Sequence, residues 1–160
     1  MADQLIKKLE KEGRLRKQKA GLVQIEALLR QAILDLDEAQ KIAALAERAT
    51  YLLAYMAMLK AGRALLLFKG YTPIDGAQHK TVVDVTEAVL GEKYRHLTIQ
   101  FETMRRKRNE MTYEAGALLS MSESQKAFSD AIDLIKRILK LVKEKNPQLE
   151  LKFDLGKNQD

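Results

Sequence analysis

Four consecutive cations, Arg105-Arg106-Lys107-Arg108, lie deep in the chain. The stripe Tyr94, Leu97, Phe101, Met104 advances in steps of three and four, and the same steps continue to Arg108 and Met111. Arg108 is therefore in phase with the apolar face of its helix rather than with the outer one. A guanidinium buried without partners is costly, so this arginine belongs at an interface or a cleft, or it pairs with an acidic residue on another helix. Composition alone favours the pairing. Its neighbours Asn109, Thr112, Tyr113 and Glu114 are polar. At about 100° per residue, Arg106, Asn109 and Tyr113 fall on one adjacent strip. Arg108 and Tyr113 stand about 140° apart on a straight helix, so sharing a ligand takes a bend or a second chain. Gly116 permits such a break.

The two histidines offer less. His79 opens a helix after a turn, a position that more often caps or packs than catalyses, and His96, beside Arg95, has the phase of a solvent-facing residue. No acid/base pair, metal-spaced His/Asp/Glu cluster, glycine-rich phosphate loop or Ser-His-Asp arrangement is visible. No metal and no cofactor are expected.

The elements that position these residues follow from apolar spacing. Leu22, Ile25, Leu29, Ala32 and Leu36 make one stripe. Leu45, Leu52, Tyr55, Leu59, Gly62 and Leu66 make a second, on a helix expected from about Asp37, its N-cap, to Lys69, before Gly70. Tyr71-Thr-Pro-Ile-Asp-Gly76 reads as a turn, because Pro73 and Gly76 both interrupt a helix. Val82, Val85 and Val89 predict a shorter helix that stops near Gly91. Ser120-Met-Ser-Glu123 fits a capping box opening a last helix, whose wide face carries Phe128, Ile132, Ile135, Leu139 and Val142 and which closes at Asn146-Pro147. Beyond it, Leu149, Leu151, Phe153 and Leu155 alternate with charged residues, the period of an extended strand. That tail either packs on its own bundle or pairs across a dimer or with a second protein.

The sequence has 160 residues, 46% of them hydrophobic and 6% aromatic, enough apolar material for one domain and too much for a disordered chain. With no cysteine, disulfides, thiolate metal sites and cysteine nucleophiles are excluded. No apolar run approaches the roughly 20 residues that span a bilayer, and Met-Ala-Asp-Gln does not open like a secretory signal. A cytoplasmic protein without membrane contact is expected. Lys+Arg outnumber Asp+Glu by 28 to 22, a net charge of +6 that makes nucleic acid the first anionic partner to consider. Residues 1–19 are a basic helix or arm, read as a solvated face or mobile arm; residues 20–146 are the bundle, and residues 147–160 the extended tail. The fold class is all-α, an up-and-down bundle.

Two segments together resemble the HEPN (higher eukaryotes and prokaryotes nucleotide-binding) superfamily. Arg105-Arg-Lys-Arg-Asn-Glu-Met-Thr-Tyr-Glu114 is similar to its signature, an arginine followed by a polar residue and, four to six positions on, a histidine. Tyr51-Leu-Leu-Ala-Tyr-Met-Ala-Met-Leu-Lys-Ala-Gly-Arg-Ala-Leu-Leu-Leu-Phe-Lys-Gly-Tyr71 is similar to its long aromatic- and alanine-rich helix. The resemblance covers roughly residues 20–143 and implies a four- to five-helix HEPN-like bundle with a short extended C-terminal tail, commonly a homodimer whose two motifs face one cleft. It implies that Arg108 contacts the scissile phosphate, that Asn109 orients it, and that Arg105, Arg106 and Glu114 flank the RNA. The histidine position falls on Tyr113, as in a branch of the family with Arg-Asn-x-x-x-Tyr-Glu. Histidine titrates near neutrality, whereas an ordinary tyrosine, with a pKa of about 10, does not; a tyrosine instead stacks on a base or donates to a phosphate. Two functions are implied. One is an RNA- or nucleotide-binding protein that is a metal-independent ribonuclease of a toxin–antitoxin or defence system, with Arg108 and Tyr113 as catalytic residues. The other is a non-catalytic module that dimerises and holds a partner such as a minimal nucleotidyltransferase or an antitoxin.

Overall fold

Apolar stripes at helical spacing organise nearly the whole chain. In the computed structural model, which describes residues 2–74, 78–151 and 153, they form six helices beside one small sheet. In order these are α1 (Ala2–Lys11), β1 (Leu15–Lys17), α2 (Leu22–Ile42), α3 (Glu47–Phe68), β2 (Tyr71–Pro73), α4 (Gln78–Leu90), a 3-10 turn (Glu92–Tyr94), α5 (Arg95–Tyr113) and α6 (Met121–Lys145). The architecture is the expected all-α bundle, built from more pieces than expected.

The helix expected over Asp37–Lys69 starts later than expected: its first residues close α2, and the rest is α3. Asp37 lies inside α2, 3.1 Å from Lys41, and Ala46 stands at the N-cap of α3 without a side-chain hydrogen bond. The link Ala43-Ala44-Leu45-Ala46 contains neither glycine nor proline. Tertiary packing makes the break: an unbroken helix over residues 22–68 would be about 70 Å long and would leave both stripes wet. Folding back lays Ile25, Leu29, Ala32 and Leu36 of α2 along α3, and Leu45 is left 85% exposed at the bend.

α3 sits at the centre, packed on α2, α4, α5 and α6. Tyr51, Ala54, Tyr55, Met58, Leu65 and Leu66 are buried on several of its sides, as expected of a helix that is apolar nearly all round. At 22 residues it is, contrary to expectation, long and apolar enough to cross a bilayer by length and composition, but most of it is buried inside the bundle. Gly62 lets α4 approach it. A Cβ at that position would stand 2.5 Å from Val82 Cγ1 and 3.1 Å from Thr86 Oγ1.

The N-terminal segment is a docked part of the fold rather than a mobile arm. α1 buries Ile6 and Leu9 and packs on α4. Gly13, at φ +78°, turns the chain into β1, which pairs antiparallel with β2 in the register Leu15 to Pro73, Arg16 to Thr72 and Lys17 to Tyr71. The first half of the expected turn is therefore a strand; its Asp75 and Gly76 lie outside the described residues.

α4 ends one residue before Gly91, as expected. At the start of α6 the Glu123 amide donates to Ser120 Oγ at 3.0 Å and the Ser120 amide to Glu123 Oε1 at 3.2 Å, the expected reciprocal cap. The tail alternates in burial without forming a strand among its described residues. Leu149 and Leu151 are buried, Lys143 donates to the Leu151 carbonyl, and Lys136 Nζ lies 5.6 Å from the centre of the Phe153 ring. Leu155 lies outside the described residues.

Candidate functional site

α5 carries the basic run, and its core residues set the run's orientation. Leu97, Phe101 and Met104 are buried, so Arg108, one turn further on the same face, lies half-buried where the bundle surface begins. Its three predecessors each have a carboxylate within reach. Arg105 grips Glu102 with two hydrogen bonds of 2.9 and 2.7 Å, Arg106 Nε reaches the same carboxylate at 3.0 Å, and Lys107 Nζ lies 3.7 Å from Glu123. Arg108 donates only to Asn109 Oδ1, at 3.3 Å, and has no carboxylate partner among the described residues. The internal acidic partner that composition favours is not found there.

What lies near Arg108 comes from other helices. The hydroxyl of Tyr55, a fully buried residue of α3, is 2.9 Å from Nδ1 of His79 at the start of α4. The Tyr55 ring also packs at 5.9 Å between centroids on Phe101 of α5. Arg63, two turns along α3, donates to Gln78 Oε1 at 3.0 Å, while its buried Nε has no partner among the described residues. Arg63 also lines a cavity of about 380 Å³ with Gln18, Gln24, Leu28, Leu67 and Thr72.

Electrostatics tie the group together. Burial first, and then the charges of Arg108, Arg63 and Arg105, hold the His79 pKa below the usual histidine value. Burial pushes the Tyr55 hydroxyl up to about 12, although Arg108 and Arg105 pull the other way. The Glu102 carboxyl is held below its ordinary value, chiefly by the hydrogen bond from Arg105. The result is a half-buried imidazole, disfavoured as the cation, that feels the charge of three arginines, one of which, Arg108, has no carboxylate partner among the described residues. Such an arrangement attracts an oxyanion, because its open groups are donors and its net charge is positive.

The expected site residues separate into two sets. Arg108 and Asn109 touch, and Arg105 and Arg106 share Glu102. Tyr113, the last residue of α5, is 79% exposed with no hydrogen-bond partner among the described residues, and Glu114 beyond it is also exposed. Neither is brought against Arg108. Residue spacing did not single out Tyr55, Arg63 or His79 as members of the site. The available signal was Tyr55 itself, a polar atom in the middle of an alanine- and leucine-rich helix that needs a buried partner. Among the described residues no three His, Asp or Glu side chains converge as metal ligands do. The fold and site thus define a helical bundle with a cationic, donor-lined face. Comparison with protein-family models, with curated proteins and with solved structures returns no match to this chain.

Proposed function

We propose that the chain is a HEPN-like protein that binds RNA or nucleotide phosphates through the face formed by Arg108, Asn109, Arg63 and His79. The observation that carries this reading is the contrast within one helix turn. Arg105, Arg106 and Lys107 each have a carboxylate within reach, and Arg108 has none among the described residues. A phosphate would supply the missing negative charge. The test is binding of a fluorescein-labelled single-stranded RNA at increasing salt. Affinity should fall as salt rises, and Arg108→Ala should weaken binding about tenfold or more, the effect of losing a charge-assisted hydrogen bond. Unchanged affinity in Arg108→Ala would remove the reading.

Binding without cleavage is favoured over a ribonuclease activity by the exposure of Tyr113 and its separation from Arg108, which leave no proton-transferring group of α5 beside the guanidinium. A metal-free assay on the same RNA should show it intact. Cleavage that disappears in Arg108→Ala would restore the toxin or defence ribonuclease. In the binding reading the chain works as a homodimer or holds a nucleotidyltransferase or antitoxin partner. Tyr113, Leu118 and Met121 supply exposed apolar surface for such contact near the α5–α6 connection.

A further inference from the structure

We infer that Tyr55 fixes His79 as the neutral tautomer with its proton on Nε2, and that this N–H is a second anchor for the oxyanion held by Arg108. The inference rests on the phosphate-binding reading of this face and assigns its hydrogen-bond chemistry.

The argument starts from a buried hydroxyl. Tyr55 is fully enclosed, and a phenol O–H in an apolar interior must donate to something. Among the described residues His79 Nδ1, at 2.9 Å, is its one hydrogen-bond partner. The donation uses the lone pair of Nδ1. A neutral imidazole carries one proton on two nitrogens, so that proton then belongs to Nε2. Nε2 itself has no protein partner among the described residues.

A second proton would have to go onto Nδ1, facing the Tyr55 oxygen. The hydroxyl hydrogen would then turn away into a region where Phe101 packs against the phenol ring. The charged groups around the ring also oppose protonation. α3 contributes Arg63, and α5 contributes Arg108 together with Arg105, which Glu102 partly neutralises. On its own helix, Lys80 and Asp84 lie 3.5 Å apart, and Asp84 is also 3.4 Å from Arg14 of the α1–β1 link. His79 therefore takes up the second proton less readily than an ordinary histidine.

This face is narrower than a general basic patch. With Nδ1 occupied, His79 offers no free lone pair to accept a substrate proton. Arg108 and Arg63 cannot accept one either. The site is a receptor for acceptor-only oxyanions, such as the phosphates of RNA or a nucleotide, and holds them without taking their protons. His79 is a binding residue and Tyr55 a positioning residue that acts through it.

The experiment has two arms, both in a His96→Gln background so that His79 is the remaining imidazole. Two-bond nitrogen–proton NMR correlations of the 15N-labelled protein should show a protonated Nε2 and an unprotonated Nδ1. A ring protonated on Nδ1 overturns the inference. Affinity for the labelled single-stranded RNA is then measured between about pH 7.5 and 5.5, the span across which an ordinary histidine titrates. Wild type should vary by less than about twofold beyond the drift seen in His79→Gln, and His79→Gln should bind about tenfold more weakly. Tyr55→Phe, which keeps the ring and removes the donor to Nδ1, should let the Nδ1-protonated tautomer appear in the same spectra and weaken RNA binding. A tenfold gain on acidification in the wild type, or full affinity in His79→Gln alongside a normal Arg108→Ala defect, overturns the inference alone. An indifferent Arg108→Ala overturns the phosphate-binding reading, and the tautomer is still read by NMR without RNA.

Discussion

Residues 7–19 and 105–108 are the two basic stretches of the chain, and the fold treats them differently. In the first, Lys7, Lys8, Lys11, Arg16, Lys17 and Lys19 are exposed. Arg14 is the exception: it donates to Thr81 at 3.1 and 2.9 Å and reaches Asp84 at 3.4 Å, fastening the segment to α4. Around it, Ile6, Leu9 and Leu15 enter the core. In the second stretch the order is reversed: three cations have a carboxylate within reach and the fourth, Arg108, has none among the described residues. The second is the denser, four cations in four residues against seven in thirteen. Partnering separates them: one attaches a segment to the bundle, and the other ends on a guanidinium without a carboxylate among the described residues.

That contrast can be broken most forcefully at Leu9. Leu9→Ala should cost about 2–5 kcal/mol of stability, the usual toll for emptying a leucine site in a core. Urea denaturation would measure it, and the folded fraction should keep its RNA affinity. A selective loss of RNA binding would mean that the first stretch belongs to the site. Next, Arg14→Met should lower stability by about 1–2 kcal/mol by removing its hydrogen bonds to Thr81 and Asp84; calorimetry reads the shift, with RNA binding again unchanged.

Glu102 probes the second stretch through pH. Its carboxyl is held below the ordinary value in the folded protein, so its contribution is complete above about pH 4.3, the unfolded value, and fades as pH falls through the lower folded one. His79 acts in the same direction higher up. Its folded pKa is depressed, so below about pH 6.5 the unfolded chain binds more protons and stability drops. Glu102→Gln should flatten the acid limb of stability against pH and leave the upper limb alone. A flattened upper limb with an untouched acid limb would contradict both assignments. The smallest effect is expected at Arg106, whose side chain is 72% exposed. Arg106→Ala should change stability by less than about 0.5 kcal/mol and RNA affinity far less than Arg108→Ala; equal losses at the two positions would mean an unfocused basic patch.

Much of this fold is legible where one residue type has one job. Ser120 and Glu123 cap α6 as their spacing predicts, Gly91 follows the end of α4, and the α6 stripe from Phe128 to Val142 is buried. That the break falls at residues 43–46 and not at Asp37 is illegible, because alanine and leucine favour helix on both sides of it and only packing against the rest of the bundle decides. β1 and β2, at three residues each, are too short to show a period. At the site, the phase of Arg108 was readable along one helix. Its missing carboxylate and the Tyr55–His79 bond were not, since both depend on which helices meet, and that bond joins residues 24 positions apart.

The small sheet has a consequence during synthesis. β1 emerges early but finds its register only when Tyr71–Pro73 follows, and Arg14 waits for Thr81, 67 positions downstream. Until then Leu9 and Leu15 have nowhere to hide. Closing so large a loop is slow compared with forming the local helices, so the opening segment of the chain is among the last to settle and the one a chaperone would have the longest time to hold.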